Sequence, residues 1–150
     1  MVGKTTEEVF VRAIADYAGR IAHYLPFNIV TIPELKNTKK LSEAQQKARE
    51  GELILREIQL SDTVVLLDEH GKEFRSVDYA AWLQKKQNTA RRLVFVIGGV
   101  YGFSEAVYSR ADEKISLSKM TFSHQMVRLI FVEQLYRACS IIRGEPYHHE

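Results

Sequence analysis

The chain has 150 residues, room for one ordinary domain with a single substantial core. Its composition, 45% hydrophobic and 27% charged, excludes a disordered chain, and no apolar run approaches the ~20 residues that span a bilayer. A formal charge of +2 permits nucleic-acid binding without arguing for it, and the single cysteine, Cys139, excludes an internal disulfide. Residues 1–8, MVGKTTEE, lack the apolar stretch of a signal peptide, so a cytoplasmic location is expected.

In chain order, Thr5 and Glu8 have capping-box spacing and predict a helix start. Phe10, Ile14, Tyr17, Ile21 and Leu25 then recur at helical intervals up to Pro26. Residues 27–32 are aromatic and β-branched and predict a strand stopped by Pro33. A basic loop carrying Lys36, Lys39 and Lys40 follows. Ser42 and Gln45 repeat the capping-box spacing and predict a helix through residue 58. Residues 63–67 form a continuous apolar run, as in a strand covered on both faces, left by a turn at 68–71. Ser76 is positioned to cap a helix through residue 87, which ends near Lys85 and Lys86. Arg91 and Arg92 precede a second apolar run at 93–97, ending in Gly98-Gly99. A short helix is expected after Ser104, a brief strand at 115–117, and a long helix over 123–143. No repeat, low-complexity segment or linker interrupts this order, so residues 1–150 predict a single domain.

Strands alternating with helices, the central ones apolar throughout, predict an α/β fold with a mainly parallel sheet flanked by helices. Ligands bind such sheets at the carboxyl ends of the strands, here Leu67-Asp68, Ile97-Gly98-Gly99 and Leu117-Ser118. The last helix is apolar almost all round, with His124 and Arg128 on one side and Glu133, Arg137 and Ser140 near the opposite one. A surface helix has one broad polar face. Double cover is therefore expected, by the helix's own sheet and by a second copy of the chain in a homodimer.

Much chemistry is disfavoured. There is no G-x-G-x-x-G fingerprint, Walker A sequence, G-x-S-x-G elbow or H-E-x-x-H, and no cysteine pair, so no metal site is expected. Cys139, in an apolar helical pattern, reads as a packed thiol. Composition alone reads the tail 144–148 as a frayed terminus, although Tyr147 and His148 are residue types that stack on a base or accept a proton.

Five segments then resemble, in order, the motifs of one known family. VVLLDEHGKEF (64–74), FVIGG (95–99), SLSKMTFSHQMVR (116–128), EQLYRA (133–138) and RGEPYH (143–148) are similar to those of the large-subunit rRNA pseudouridine N3-methyltransferases, a family of the SPOUT class. The match is colinear, spans essentially the whole chain and is most specific over its last third. The resemblance implies a C-terminal trefoil knot, a homodimer, and S-adenosyl-L-methionine bound in the knot. It also implies a substrate, N3 of a pseudouridine in 23S rRNA within the assembled ribosome, and involves neither membrane nor metal. Carried over, cofactor contacts come from Leu67, Gly98, Gly99, Leu117, Ser118, Lys119, Met120, Thr121 and Phe122. The glycines would let backbone close on the cofactor, while Met120 and Phe122 also suit core packing. His124, Arg128, Arg137, Tyr147 and His148 become candidates for holding and activating the base. The family opens with a longer apolar first strand. Here only Met1-Val2 precede Gly3-Lys4, which predicts a shortened sheet edge or a start further upstream. A catalytically inactive RNA- or ribosome-binding module of the same fold is the alternative, and the intact strand-end motifs argue against it.

Overall fold

The two continuous apolar runs become neighbouring strands. In the computed structural model, which describes residues 1–150, β1 (Thr63–Glu73) pairs in parallel with β2 (Leu93–Ile97), from Thr63 opposite Leu93 to Leu67 opposite Ile97. β3 (Glu113–Ser116) completes a three-stranded sheet in the order β2–β1–β3. Successive residues of a strand point to opposite faces, and Val64, Val65 and Leu66 are all fully buried, so both faces of β1 are covered. Below the sheet, Asp62 is buried and accepts from Arg92 Nε at 2.8 Å, while Arg110 Nη2 donates to the Gln59 and Asp62 carbonyls. These bonds tie the entry of β1 to that of β2.

The expected turn at 68–71 does not form, because β1 runs on to Glu73. Gly71 accounts for this extension. A Cβ there would lie 2.5 Å from the backbone of Ile115, so only glycine admits the approach to β3. The strand expected over 27–32 shrinks to a single parallel bridge between Ile32 and Val2. A strand needs a partner along its length, and only Met1–Gly3 pairs with it, through Ile32 N–H to the Met1 carbonyl and Gly3 N–H to the Ile32 carbonyl. Val2 N–H in turn donates to Ile97 at the end of β2.

Contacts divide the chain into two compact units, each assembled from separate segments. The first comprises Met1–Lys4, Val30–Lys72 and Ala90–Lys119 and contains the sheet. It also holds α2 (Glu43–Arg56) and α4 (Glu105–Arg110). Both bonds of the Ser42–Gln45 capping box are present, and Ser104 caps α4 through the Val107 amide. These helices deliver Ile54 and Val107 to a core with Val2, Ile32, Val64, Leu66, Val96 and Phe103.

The second unit, Thr5–Ile29, Glu73–Thr89 and Met120–Glu150, is helical. α5 (His124–Ile142), capped by Ser123, packs on both α1 (Glu8–Ala22) and α3 (Ser76–Thr89). Its Phe131, Val132, Leu135, Ala138 and Cys139 are buried with Ile14 and Ile21 of α1 and Tyr79, Ala80 and Leu83 of α3. Within the chain two flanks of this apolar helix are thus covered by α1 and α3, where its pattern predicted the sheet. The Thr5–Glu8 capping box is absent: the N-cap is Glu7, without a side-chain bond. Thr5 instead accepts from Arg128 Nη1 at 3.0 Å, and Gln125 Oε1 accepts the Thr6 and Glu7 amides. Ser76 is the first residue of α3 and donates its hydroxyl to Gln134.

Candidate functional site

At the carboxyl ends of the strands, the first unit gathers six of the sequence-predicted residues. The β1–β2 register sets Leu67 beside Ile97, which leads directly into Gly98 and Gly99. Leu117, Ser118 and Lys119 leave β3 on the other side of β1, and the Ser116 hydroxyl donates to the Ser118 carbonyl at 2.9 Å, bending the chain there. Leu67, Leu117 and Ser118 are half-buried and Lys119 is exposed. Two polar partners of these ends, Glu50 and Tyr108, were not singled out in the sequence. Glu50, on α2, accepts the Gly99 amide at 3.1 Å. Asp68 accepts the Tyr108 hydroxyl and the His70 amide. Burial works against the Asp68 charge, but those hydrogen bonds outweigh it and hold the carboxyl below its ordinary value. The Tyr108 phenol is pushed up to about 12 by burial and by its bond to Asp68. An ionised carboxylate and neutral phenol therefore flank the strand end at neutral pH.

In the second unit, Met120 is 78% exposed and Thr121 is also open, so Met120 does not pack in a core. Phe122 is half-buried, and His124 opens α5 as an exposed residue. Arg128 lies inside the unit, 3% exposed and bonded to Thr5, rather than open to a base.

Arg137, Tyr147 and His148 do come together. The Arg137 guanidinium lies 4.8 Å from the Tyr147 ring centre, donates through Nη2 to Glu133 Oε1 at 2.5 Å, and reaches His148 Nδ1 through Nη1 at 3.2 Å. A guanidinium only donates, so Nδ1 accepts and neutral His148 carries its proton on Nε2. That Nε2 is buried and has no hydrogen-bond partner. Tyr147 donates to the same Glu133 Oε1 at 3.0 Å and lies 3.4 Å from the Tyr17 hydroxyl. Burial, then these bonds to Tyr17 and Glu133, push the Tyr147 phenol above its ordinary value, so it stays protonated at neutral pH.

The tail that carries Tyr147 and His148 is anchored, not frayed. Gly144, at φ +70°, takes the left-handed position after α5, and the Gly144 and Glu145 amides return to the Ile141 and Ser140 carbonyls. Tyr24 donates to Glu145, and Arg75 pairs with Glu150 at 3.1 Å. Glu133 and Tyr17 are the residues sequence reasoning missed. The i, i+4 spacing of Glu133 and Arg137 within EQLYRA was the available signal. His124 is not part of the cluster: from His124 to Arg137 is about 20 Å of helix at ~1.5 Å per residue.

Comparison with known proteins matches the sequence of the chain to a family. A family model described as "Predicted SPOUT methyltransferase" matches residues 1–148. A protein of Parabacteroides distasonis named "Ribosomal RNA large subunit methyltransferase H" is 62% identical over 151 residues, covering 100% of this chain and 96% of that protein. Proteins of the same name from Bacteroides thetaiotaomicron and Flavobacterium johnsoniae are 61% and 55% identical, over 100% and 99% of this chain and 96% of each relative. With a family model and relatives that each span nearly the whole chain, the protein belongs to the SPOUT methyltransferase family.

Proposed function

We propose that this chain is a methyltransferase of large-subunit ribosomal RNA that takes its methyl group from S-adenosyl-L-methionine and delivers it to N3 of a pseudouridine in 23S rRNA of the assembled ribosome. The observation that carries the reading is the Arg137–Tyr147–His148 cluster, anchored on Glu133, in a chain whose relatives are named large-subunit rRNA methyltransferases. The cofactor, when bound, supplies an electrophilic methyl group on a sulfonium. The chemistry of the strand ends fits such a group. Leu67 and Leu117 offer apolar surface, the turns after β2 and β3 offer backbone amides and carbonyls, and Glu50 sets a carboxylate beside Gly99, complementary to a cation. Gly98, Gly99, Leu117, Ser118, Lys119, Met120, Thr121 and Phe122 would hold it together with Leu67.

Arg137 and His148 would orient the base, with the His148 Nε2 proton directed at one of its carbonyl oxygens. Tyr147, held protonated, is suited to packing and donation rather than to removing the N3 proton. Orientation of two bound reactants can supply ~7–11 kcal/mol of such a barrier. It requires the reacting atoms within about 3–3.5 Å. The segment 120–122 and His124 stand at one end of α5, whereas the tail cluster lies about 20 Å along the same helix. A homodimer with α5 helices running antiparallel would bring the tail of one copy to the loop of the other, which supports the two-copy assembly. The trefoil knot of the SPOUT class and a cytoplasmic location complete the proposal. No helix of the chain is long and apolar enough to cross a membrane. The test adds the protein and isotopically labelled S-adenosyl-L-methionine to ribosomes from a strain deleted for it, with mass mapping of 23S rRNA. One methyl on one pseudouridine is expected, and ribosomes left unlabelled at saturating cofactor would sink the reading.

A further inference from the structure

Beyond the tail cluster, the second unit carries a strip in which tyrosine rings and guanidinium groups alternate. Two helical stripes create it. Tyr17, Arg20 and Tyr24 recur at helical spacing along α1 and its exit, and Tyr136 and Arg143 do so along α5. Because α1 packs on α5, the stripes meet. The Tyr136 ring lies 5.8 Å from Tyr17 and 6.1 Å from Tyr24. The Arg20 guanidinium stands over Tyr17 at 5.4 Å and Tyr136 at 5.6 Å, and Arg143 stands over Tyr24 at 6.0 Å. Tyr136 also meets Tyr147 edge-on at 4.7 Å, so the strip runs into the tail cluster.

Between the stripes opens a cleft of about 270 Å³ lined by Arg20, His23, Tyr24, Tyr136, Arg143 and Glu145. The side chains of Arg20, His23 and Arg143 are exposed, so their N–H donors face solvent beside the rings. Interleaved ring faces and guanidinium groups suit a nucleic-acid strand, because bases stack on the planes and phosphates take the charged N–H donors. The neighbouring carboxylates leave the cleft usable. Glu145 accepts the Tyr24 hydroxyl and so fixes that ring in the wall. Asp16 pairs with Arg20 at 3.0 Å, but the side chains are 59% and 48% exposed, and so open a pair yields readily to a phosphate.

We propose that this cleft binds a nucleotide of the RNA adjacent to the target base, its phosphate on Arg20 and Arg143 and its base against Tyr24 and Tyr136. The proposal rests on the RNA-methyltransferase reading and gives the same substrate strand a second point of attachment. The full-length chain is compared with an Arg20→Gln/Arg143→Gln double variant and with Arg143→Gln alone, which lies beyond the last turn of α5. Each is assayed by co-sedimentation with purified unmodified ribosomes across a salt series, by methyl-transfer kinetics, and by calorimetry with S-adenosyl-L-methionine. The salt slope of binding is expected to fall by about one in the double variant, which loses the phosphate contact, and by less in the single variant, which keeps Arg20. KM for ribosomes should rise several-fold while kcat and cofactor affinity stay unchanged. A wild-type slope and KM in the double variant overturns the proposal, as does a loss of kcat at unchanged KM. If the wild type binds ribosomes but transfers no methyl, the enzymatic reading fails, and the salt slopes still decide the cleft.

Discussion

At the scale of single residues, Glu133 organises the tail cluster. One of its oxygens accepts from both Arg137 and Tyr147, and the other accepts from Gln134 at 2.9 Å. Glu133→Gln replaces one acceptor oxygen with an amide that faces donors and removes the charge opposite Arg137. Hydrogen bonds to charged groups are worth about 1.5–3 kcal/mol, and with both side chains partly open to solvent the lower end applies. A kcat roughly tenfold lower is expected, equivalent to ~1.4 kcal/mol, with cofactor affinity unchanged. Single-turnover methyl transfer and calorimetry on the same variant check it, and a wild-type rate would show that Glu133 does not hold the cluster. The residue types of the tail were legible in the sequence, since Tyr147 and His148 carry obvious chemistry. Their anchoring was not. It depends on Gly144 turning the chain back along α5 and on Tyr17, Tyr24 and Arg75, which are remote in sequence.

At the scale of elements, local spacing succeeded where local bonds decide and failed where distant residues intervene. Ser42–Gln45 and Thr5–Glu8 read alike as capping boxes, yet only the first forms. At the second, Arg128 claims the Thr5 hydroxyl and Gln125 claims the amides, both from α5. The apolar runs at 63–67 and 93–97 were visible because each strand buries both faces. The continuation of β1 past Asp68 was hidden, because residues 68–71 carry turn chemistry and the Gly71 approach to Ile115 is a tertiary fact. The strand ends were therefore found, while Glu50 and Tyr108 beside them, delivered by α2 and α4, were not. The cap exchange is measurable. Gln125→Ala should cost about 1 kcal/mol, as loss of a helix cap does, and lower Tm by about 2–4 °C. Glu8→Ala, which removes an exposed pair with Arg12 and one first-turn carboxylate but no cap, should cost less, about 0.5 kcal/mol. The opposite ranking in thermal denaturation would restore the local capping box.

At the scale of the whole molecule, the ionisable groups with displaced pKa values set the pH range of stability. The Asp62 carboxyl lies below its ordinary value, mainly through hydrogen bonding to Arg92 and against the effect of burial, and Asp68 is lowered as well. A carboxyl depressed on folding stabilises fully above its unfolded value near ~4, and that contribution is lost as pH falls through the folded value. On the alkaline side the signs reverse. Burial raises the Cys139 thiol to about 11, against ~8.5 when unfolded, and Tyr108 to about 12, against ~10. Such groups keep their protons longer when folded, so stability is full below the unfolded values and declines through these windows. Cys139, 2% exposed, is the steeper term between pH ~8.5 and about 11 and is worth no more than about 3–4 kcal/mol. Urea midpoints should therefore be level from roughly pH 5 to 8 and fall on both sides. Cys139→Ala should lower the plateau slightly, by the small cavity it leaves, yet flatten the decline between pH ~8.5 and about 11. If the variant and the wild type fall in parallel across that interval, the thiol is not what limits alkaline stability, and the tyrosines anchoring the tail and the strand end carry the decline instead.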